Sequence, residues 1–257
     1  MTSPAGPTIA VLQARMSSTR LPGKALLRTC GKALLQHQIE RATRAKRLDT
    51  IVVATSTDPS DDPLEALCHR IGVRCHRGSL DDVLDRFVGA AKPLAPAHVV
   101  RLTGDCPLTD PDVIDRVVAA AQQDDVDYAS NALDPTYPDG LDVECMRFAV
   151  LETAAREGTK KTEREHVTPF IHTQPQRFRL RSVRNDIDLS ALRWTVDEPA
   201  DFVFVSQVYE HLYRDNADFR MADILRLLER EPQLARINQG LARNTSYARD
   251  IAAEAKP

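Results

Sequence analysis

Residues 50–55 read TIVVAT, a continuous run of β-branched and small residues. Such a run suits a strand that is covered on both faces. Apolar runs of the same kind stand at residues 8–14 (TIAVLQA) and 98–102 (HVVRL), and amphipathic segments separate them. LLQHQIERATRA places Leu34, Leu35, Gln38, Ile39 and Ala42 at helical spacing. DDPLEALCHRIG opens on acids and a proline and closes on Gly72, which are helix start and stop signals. A short strand is expected at residues 73–76. GSLDDVLDRFVGAA then reads as a helix with Ser79 as its cap, and TDPDVIDRVVAAAQQ as another with a cap-and-proline start. Alternation of this kind predicts an α/β fold with a mostly parallel sheet flanked by helices.

After Asp127 the alternation breaks down. YASN, GLDVECM and RFRLRSV read as shorter strands, with a helix at RFAVLETAAREG. This middle portion, residues 128–190, is expected to form a β-rich insertion that covers the strand ends. PADFVFVSQVYEHLY and MADILRLLERE return to helices in a part spanning 191–242, and a polar, loose tail is expected from Arg243. With no internal repeat and no low-complexity linker, residues 1–257 are expected to form one domain, of which 8–127 is the first part.

Composition excludes several classes. A net charge of −3 argues against a nucleic-acid binder, which needs a basic face. Neither a secretory signal nor a membrane span is legible, and a cytoplasmic protein is expected. The five cysteines, Cys30, Cys68, Cys75, Cys106 and Cys145, are scattered and form no CxxC, so reduced thiols are expected rather than a zinc site.

The loop after the first strand carries the chemistry. ARMSSTRLPGK fails the Walker pattern, because Ser18 stands where its first glycine belongs and Ala25 follows Lys24; no GxGxxG is present. Arg15, Ser17, Ser18, Thr19, Arg20, Gly23 and Lys24 nevertheless supply cationic forks, hydroxyls, a flexible backbone and a point charge, all suited to a polyphosphate. A solvated basic turn has the same composition.

ARMSSTRLPGK resembles the signature loop of the cytidylyltransferases that make CMP-sugars, the CMP-ketodeoxyoctonate and CMP-sialic acid synthetases. It is more similar still to the spore coat polysaccharide biosynthesis protein F group. The likeness runs through DDVLDRF, RLTGDCPL, GLDVE, EHVTPFI and TVDEP, over residues 8–213. It implies a Rossmann-like fold of the nucleotide-diphospho-sugar transferase type and a homodimer joined through the middle segment. It further implies transfer of CMP from CTP to a sugar or sugar-acid-like acceptor with loss of pyrophosphate. Arg15, Lys24 and Asp105 would be the catalytic group. Ala14, Arg15, Ser17, Arg20, Gly23, Lys24 and Thr103 would bind the nucleotide, with Arg77 or Ser79 at base or ribose. Asp105 and Asp197 would hold Mg2+, since a hard divalent cation takes carboxylate oxygens. Read alone, Asp105 suits a turn and Asp197 a helix cap. Asp201 is expected at the solvent face of its helix, with a supporting role behind Asp197 as the lesser alternative.

The likeness also places the acceptor beside Asp139, Asp142 and Glu144 and beside Glu165 and His166. Asp82 and Arg86 read equally as a helical ion pair. Arg177, Arg179 and Arg181, at alternate positions, are expected on one strand face, with Arg184 following. The chain departs from the sugar-acid synthetases at Gln13, where they carry proline, at Thr103, where the ketodeoxyoctonate type carries glutamine, and at Cys106, where that type carries an acid. Acceptor identity is therefore open among an ulosonic acid, another sugar or sugar phosphate, and a small phosphorylated or phosphonate compound. A nucleotide-sugar glycosyltransferase and a non-catalytic nucleotide-binding module are the rival readings. The first usually needs an Asp-x-Asp pair, and TGDCP lacks the second acid.

Overall fold

The computed structural model describes residues 6–241, 243 and 245–254. Its centre is β1 (Thr8–Gln13), paired in parallel with β4 (Thr50–Ser56) on one side and β6 (His98–Thr103) on the other. β5 (Arg74–Gly78) extends the sheet beyond β4. Alternate residues of β1 enter opposite cores: Ala10 and Leu12 pack in one, Ile9 and Val11 in the other, all fully buried. Two covered faces are what an uninterrupted apolar strand requires.

The first core is closed by α1 (Leu34–Ala42), α2 (Asp62–Ile71) and α4 (Pro111–Ala121). α1 follows a small hairpin of β2 (Arg28–Thr29) and β3 (Lys32–Ala33). It stops at Ala42, short of the expected Ala45, as Ala45 N–H turns back to the Ala42 carbonyl. Asp110 caps α4 by accepting from Asp112 N–H, with Pro111 at the first position, and Gly72 ends α2 at φ 71°. α3 (Val83–Ala91) lies in the second core. Its cap is Asp82, which accepts from Asp85 N–H, and not Ser79, whose hydroxyl accepts from Asp82 N–H one turn too early.

The middle segment, expected as a β-rich insertion, is continuous with the main sheet. Its strands β7 (Tyr128–Ser130), β8 (Glu144–Arg147) and β9 (Leu180–Ser182) join the main sheet, giving seven strands in the order β5-β4-β1-β6-β8-β7-β9. β8 alone runs antiparallel to its neighbours. The helices α5 (Phe148–Glu157), α6 (Lys161–His166) and α7 (Pro169–His172) bring Val150, Leu151, Val167 and Ile171 into the second core beside α3. Only three residues of the RFRLRSV run are strand, so the arginines do not form one stripe. Arg177 lies before β9 and stacks on Phe178 with its charge on Glu157, while Arg179, Arg181 and Arg184 pair with Asp127, Asp125 and Asp134.

α8 (Pro199–Leu212) and α9 (Met221–Arg230) complete the first core through Phe204, Val205, Val208, Ile224 and Leu227. The tail expected to be loose forms α10 (Thr245–Glu254). It docks on α6, where Glu254 accepts from Thr162 N–H at 2.5 Å and from its hydroxyl at 2.7 Å. No described helix is long and apolar enough to cross a membrane.

Candidate active site

Open α/β sheets bind ligands at the carboxyl ends of their strands, beside the point where strand order reverses. β1, with β4 and β6 on its two sides, is that point here. A cavity of about 620 Å³ opens there, within the usual range for a small-molecule site.

The loop after β1 folds back on itself. Met16 N–H donates to Asp61, and the Met16 carbonyl accepts from both Ser18 and Gly23 N–H. Gly23, at φ 71°, makes the left-handed turn that starts a short helix at Lys24. This path puts Arg15, Ser17, Ser18, Thr19, Arg20 and Lys24 on the cavity wall beside Ala14, with Gly23 behind them as the turn. At the end of β6, Gly104 N–H donates to the Gln13 carbonyl at 2.7 Å; a Cβ there would stand 2.8 Å from that oxygen. Thr103 and Asp105 therefore sit directly against the β1 loop, and both line the cavity.

Two backbone contacts bring the distant aspartates together. The Asp105 carbonyl accepts from Val196 N–H at 2.8 Å and from the Thr195 hydroxyl at 3.1 Å, which docks the WTVDEP segment onto the end of β6. Lys24 Nζ then lies 2.6 Å from Asp197 Oδ1 and 3.4 Å from Asp105 Oδ2. Arg20 adds a contact of 2.8 Å to Asp197 Oδ2. Burial works against the Asp105 charge, but Lys24 together with hydrogen bonds from Thr103 and Cys106 outweighs it and holds the carboxyl down at about 2. The same two carboxylates, against the cost of burial, raise the Lys24 ammonium above its ordinary value.

Asp201 overturns the expectation of a solvent-facing residue, being 0% exposed. Both its oxygens take a bidentate fork from Arg193 at 2.9 Å, and it also accepts from Asp197 and Glu198 N–H and from Asn238. Arg193 further reaches Asp139 at 2.9 Å and Asp197 at 3.5 Å. This buried guanidinium fixes the start of α8, and with it the position of Asp197.

The remaining predicted acceptor residues also stand on the cavity wall. Asp139, Asp142, Glu144, Glu165 and His166 all line the cavity. Asp142 pairs with Arg243, yet burial pushes its carboxyl up to about 7. Burial works against the Glu144 charge, but Arg101 together with hydrogen bonds from Thr168 and Tyr128, the latter at 2.7 Å, holds the carboxyl below its ordinary value. Glu165 pairs with Arg15 at 3.1 Å, and His166 Nε2 lies 3.0 Å from Asp250 on α10.

Arg77 and Ser79 do not reach the cavity. Arg77 is committed to Glu65, Asp62 and the Ser56 and Asp58 carbonyls, and β5 lies two strands out from β1. The Asp82–Arg86 pair is also absent: Asp82 binds Arg164, and Arg86 is buried with Nη1 on the Ser79 carbonyl. Sequence reasoning missed Arg101, His172, Tyr247 and Asp250 on the wall. Arg101 had a signal, as a charge inside an otherwise apolar strand. Tyr247 and Asp250, on a polar tail, had none.

With this geometry in place, comparison with known proteins decides the family. The family model described as cytidylyltransferase matches residues 9–234. The chain belongs to the cytidylyltransferase family. The spore coat polysaccharide biosynthesis protein SpsF of Bacillus subtilis is 33% identical, over 88% of this chain and 95% of its own length. A solved cytidylyltransferase from Leptospira borgpetersenii superposes with a TM-score of 0.87 at 29% identity, covering 93% of this chain and all of that one. A CMP-2-keto-3-deoxy-manno-octonic acid synthetase solved with CTP shares the fold at a TM-score of 0.62 and 19% identity, over 80% and 99% of the two chains. As a family member the chain is a nucleotidyltransferase.

Proposed function

We propose that this cytidylyltransferase moves CMP from CTP onto a hydroxyl of a sugar or sugar-acid-like acceptor, with Mg2+ bound by Asp105 and Asp197. The observation that carries the reading is the meeting of Lys24, Asp105 and Asp197 at one end of a cavity whose wall is the cationic β1 loop.

The donor set fits such an ion. Two carboxylates already share one cation, and their hard oxygens suit Mg2+, which keeps waters and takes phosphate oxygens in its remaining positions. Among the described residues no cluster of three or more His, Cys, Asp or Glu encloses a metal. An ion completed by its substrate matches that open set. When bound, it would neutralise charge developing on the phosphates.

This chain's own groups do the rest. Arg15, Arg20 and Lys24 bind the phosphates, and the Ser17 hydroxyl supports the loop. Arg20 and Arg15 rest on Asp197 and Glu165, and each pair is partly exposed, so a triphosphate can compete for the cations. Asp139, Asp142, Glu144, Glu165 and His166, on the same cavity wall, orient the acceptor. Its hydroxyl oxygen attacks the α-phosphorus and gives up its proton to solvent, a P–O bond forms, the bond to the β-phosphate oxygen breaks, and pyrophosphate leaves. Positioning and fixed charge supply most of the acceleration in such a transfer.

Pyrophosphate release from each nucleoside triphosphate, measured against a panel of sugar, sugar-acid and phosphonate acceptors, tests the reading. CTP should be consumed, and Lys24→Ala and Asp105→Asn should each lower turnover at least a hundredfold with the fold unchanged. Near-normal turnover in either variant refutes the assignment. Release of a nucleoside diphosphate would indicate a glycosyltransferase.

A further inference from the structure

Three cations contact Asp197, and they are held differently. Arg193 is buried and bonded also to Asp139 and Asp201, so it cannot leave without exposing two other carboxylates. Lys24 and Arg20 come from the cavity-lining loop and reach the carboxylates on long, flexible stems. Lys24 is the cation standing between Asp105 and Asp197, at 3.4 and 2.6 Å. A divalent ion bound by those two carboxylates needs the same oxygens.

We propose that Lys24, assisted by Arg20, is an internal counter-ion that excludes a divalent cation from the Asp105–Asp197 pair until a triphosphate arrives. A free ion approaching the resting site must displace an ammonium shared by two acids, and it meets the charges of Arg20 and Arg193 as it does so. A triphosphate changes the balance by offering Lys24 and Arg20 anionic oxygens of its own. Carboxylate–ammonium contacts are then exchanged for phosphate–ammonium contacts, and the uncovered carboxylates take the divalent ion. Linkage follows: the nucleotide must strengthen metal binding by the same factor by which metal strengthens nucleotide binding. The inference rests on the nucleotidyl-transfer reading above and adds an order to it, with metal entering together with CTP rather than before it.

Equilibrium dialysis of the full chain against Mn2+, at matched free Mn2+, tests this by counting the metal retained with the protein. The wild type should retain Mn2+ at least tenfold more tightly with saturating CTP than without it. Without CTP, Lys24→Met should bind Mn2+ at least tenfold more tightly than the wild type, and Arg20→Gln by a smaller factor in the same direction. Thermal melting confirms that each variant is folded, and Arg20→Gln, a change at a partly exposed side chain, stands in if Lys24→Met is not. Equal Mn2+ retention by wild type and a folded Lys24 or Arg20 variant in the absence of CTP overturns the exchange and leaves the transferase reading intact. Retention with CTP that is unaffected by Asp105→Asn overturns the metal site, and the exchange with it.

Discussion

Arg193→Met removes a charge that three carboxylates share. Arg193 is 8% exposed, and its bidentate partner Asp201 is wholly buried. Breaking a buried pair by deleting one partner costs about 3–5 kcal/mol, because the other charge is left without compensation. Asp201 keeps two backbone N–H donors and the Asn238 amide, each at 2.9 Å, which pulls the expected loss toward the lower end, about 3 kcal/mol. Asp139 keeps Arg243 at 3.8 Å and adds little. Urea unfolding at pH 7, followed by circular dichroism, measures the loss. A double-mutant cycle with Asp201→Asn should give a coupling of about 2 kcal/mol or more, since the two groups are in direct bidentate contact. A loss below about 1 kcal/mol, or additive single changes, would show that Arg193 does not organise the start of α8.

Gly104→Ala should cost about 1–3 kcal/mol by overpacking, because its Cβ would meet the Gln13 carbonyl at 2.8 Å and the Ala14 Cβ at 2.9 Å; it should also lower pyrophosphate release, which a release assay and a melting curve check together. Burial lowers the pKa of both His37 and His98, so the folded state holds them neutral. The unfolded chain takes up their protons first as pH falls. The contribution of these two histidines is therefore complete above about pH 6.5 and is lost below it, by up to about 1.4 kcal/mol per pH unit for each, while the Asp142 carboxyl, pushed up to about 7, acts in the opposite sense over the same range. Urea midpoints at pH 7.5, 6.5 and 5.5 should show that His98→Gln loses less stability on acidification than the wild type; the same pH dependence in both proteins contradicts the assignment.

Strand positions were legible where burial on two faces left a continuous apolar run, as in β1, β4 and β6. Helix starts were legible where cap and proline coincide, as at Asp110 and Pro111. The α3 cap was misassigned because Ser79 and Asp82 are both competent caps, and only the chain path decides between them. At the site, strand-end logic and the family likeness together pointed to the β1 loop, Asp105 and Asp197, all of which the fold brings to one cavity. Asp201 was misread because exposure was inferred from helical position alone, and the burial of a charge depends on a partner, Arg193, that periodicity does not reveal. Arg77 was misplaced for a related reason: a cation near a suggestive motif was committed to acids on α2. Tyr247 and Asp250 reach the wall through tertiary docking of a polar helix, which leaves no local pattern.

The central claim is that one end of this cavity holds a triphosphate and its metal together. A crystal grown with CTP and Mn2+, measured at the manganese absorption edge, tests it directly. The account predicts an anomalous peak in contact with Asp105 and Asp197, and Lys24 turned from those carboxylates onto a phosphate oxygen. A nucleotide bound with its phosphates away from the β1 loop, or a manganese peak remote from both aspartates, would contradict it.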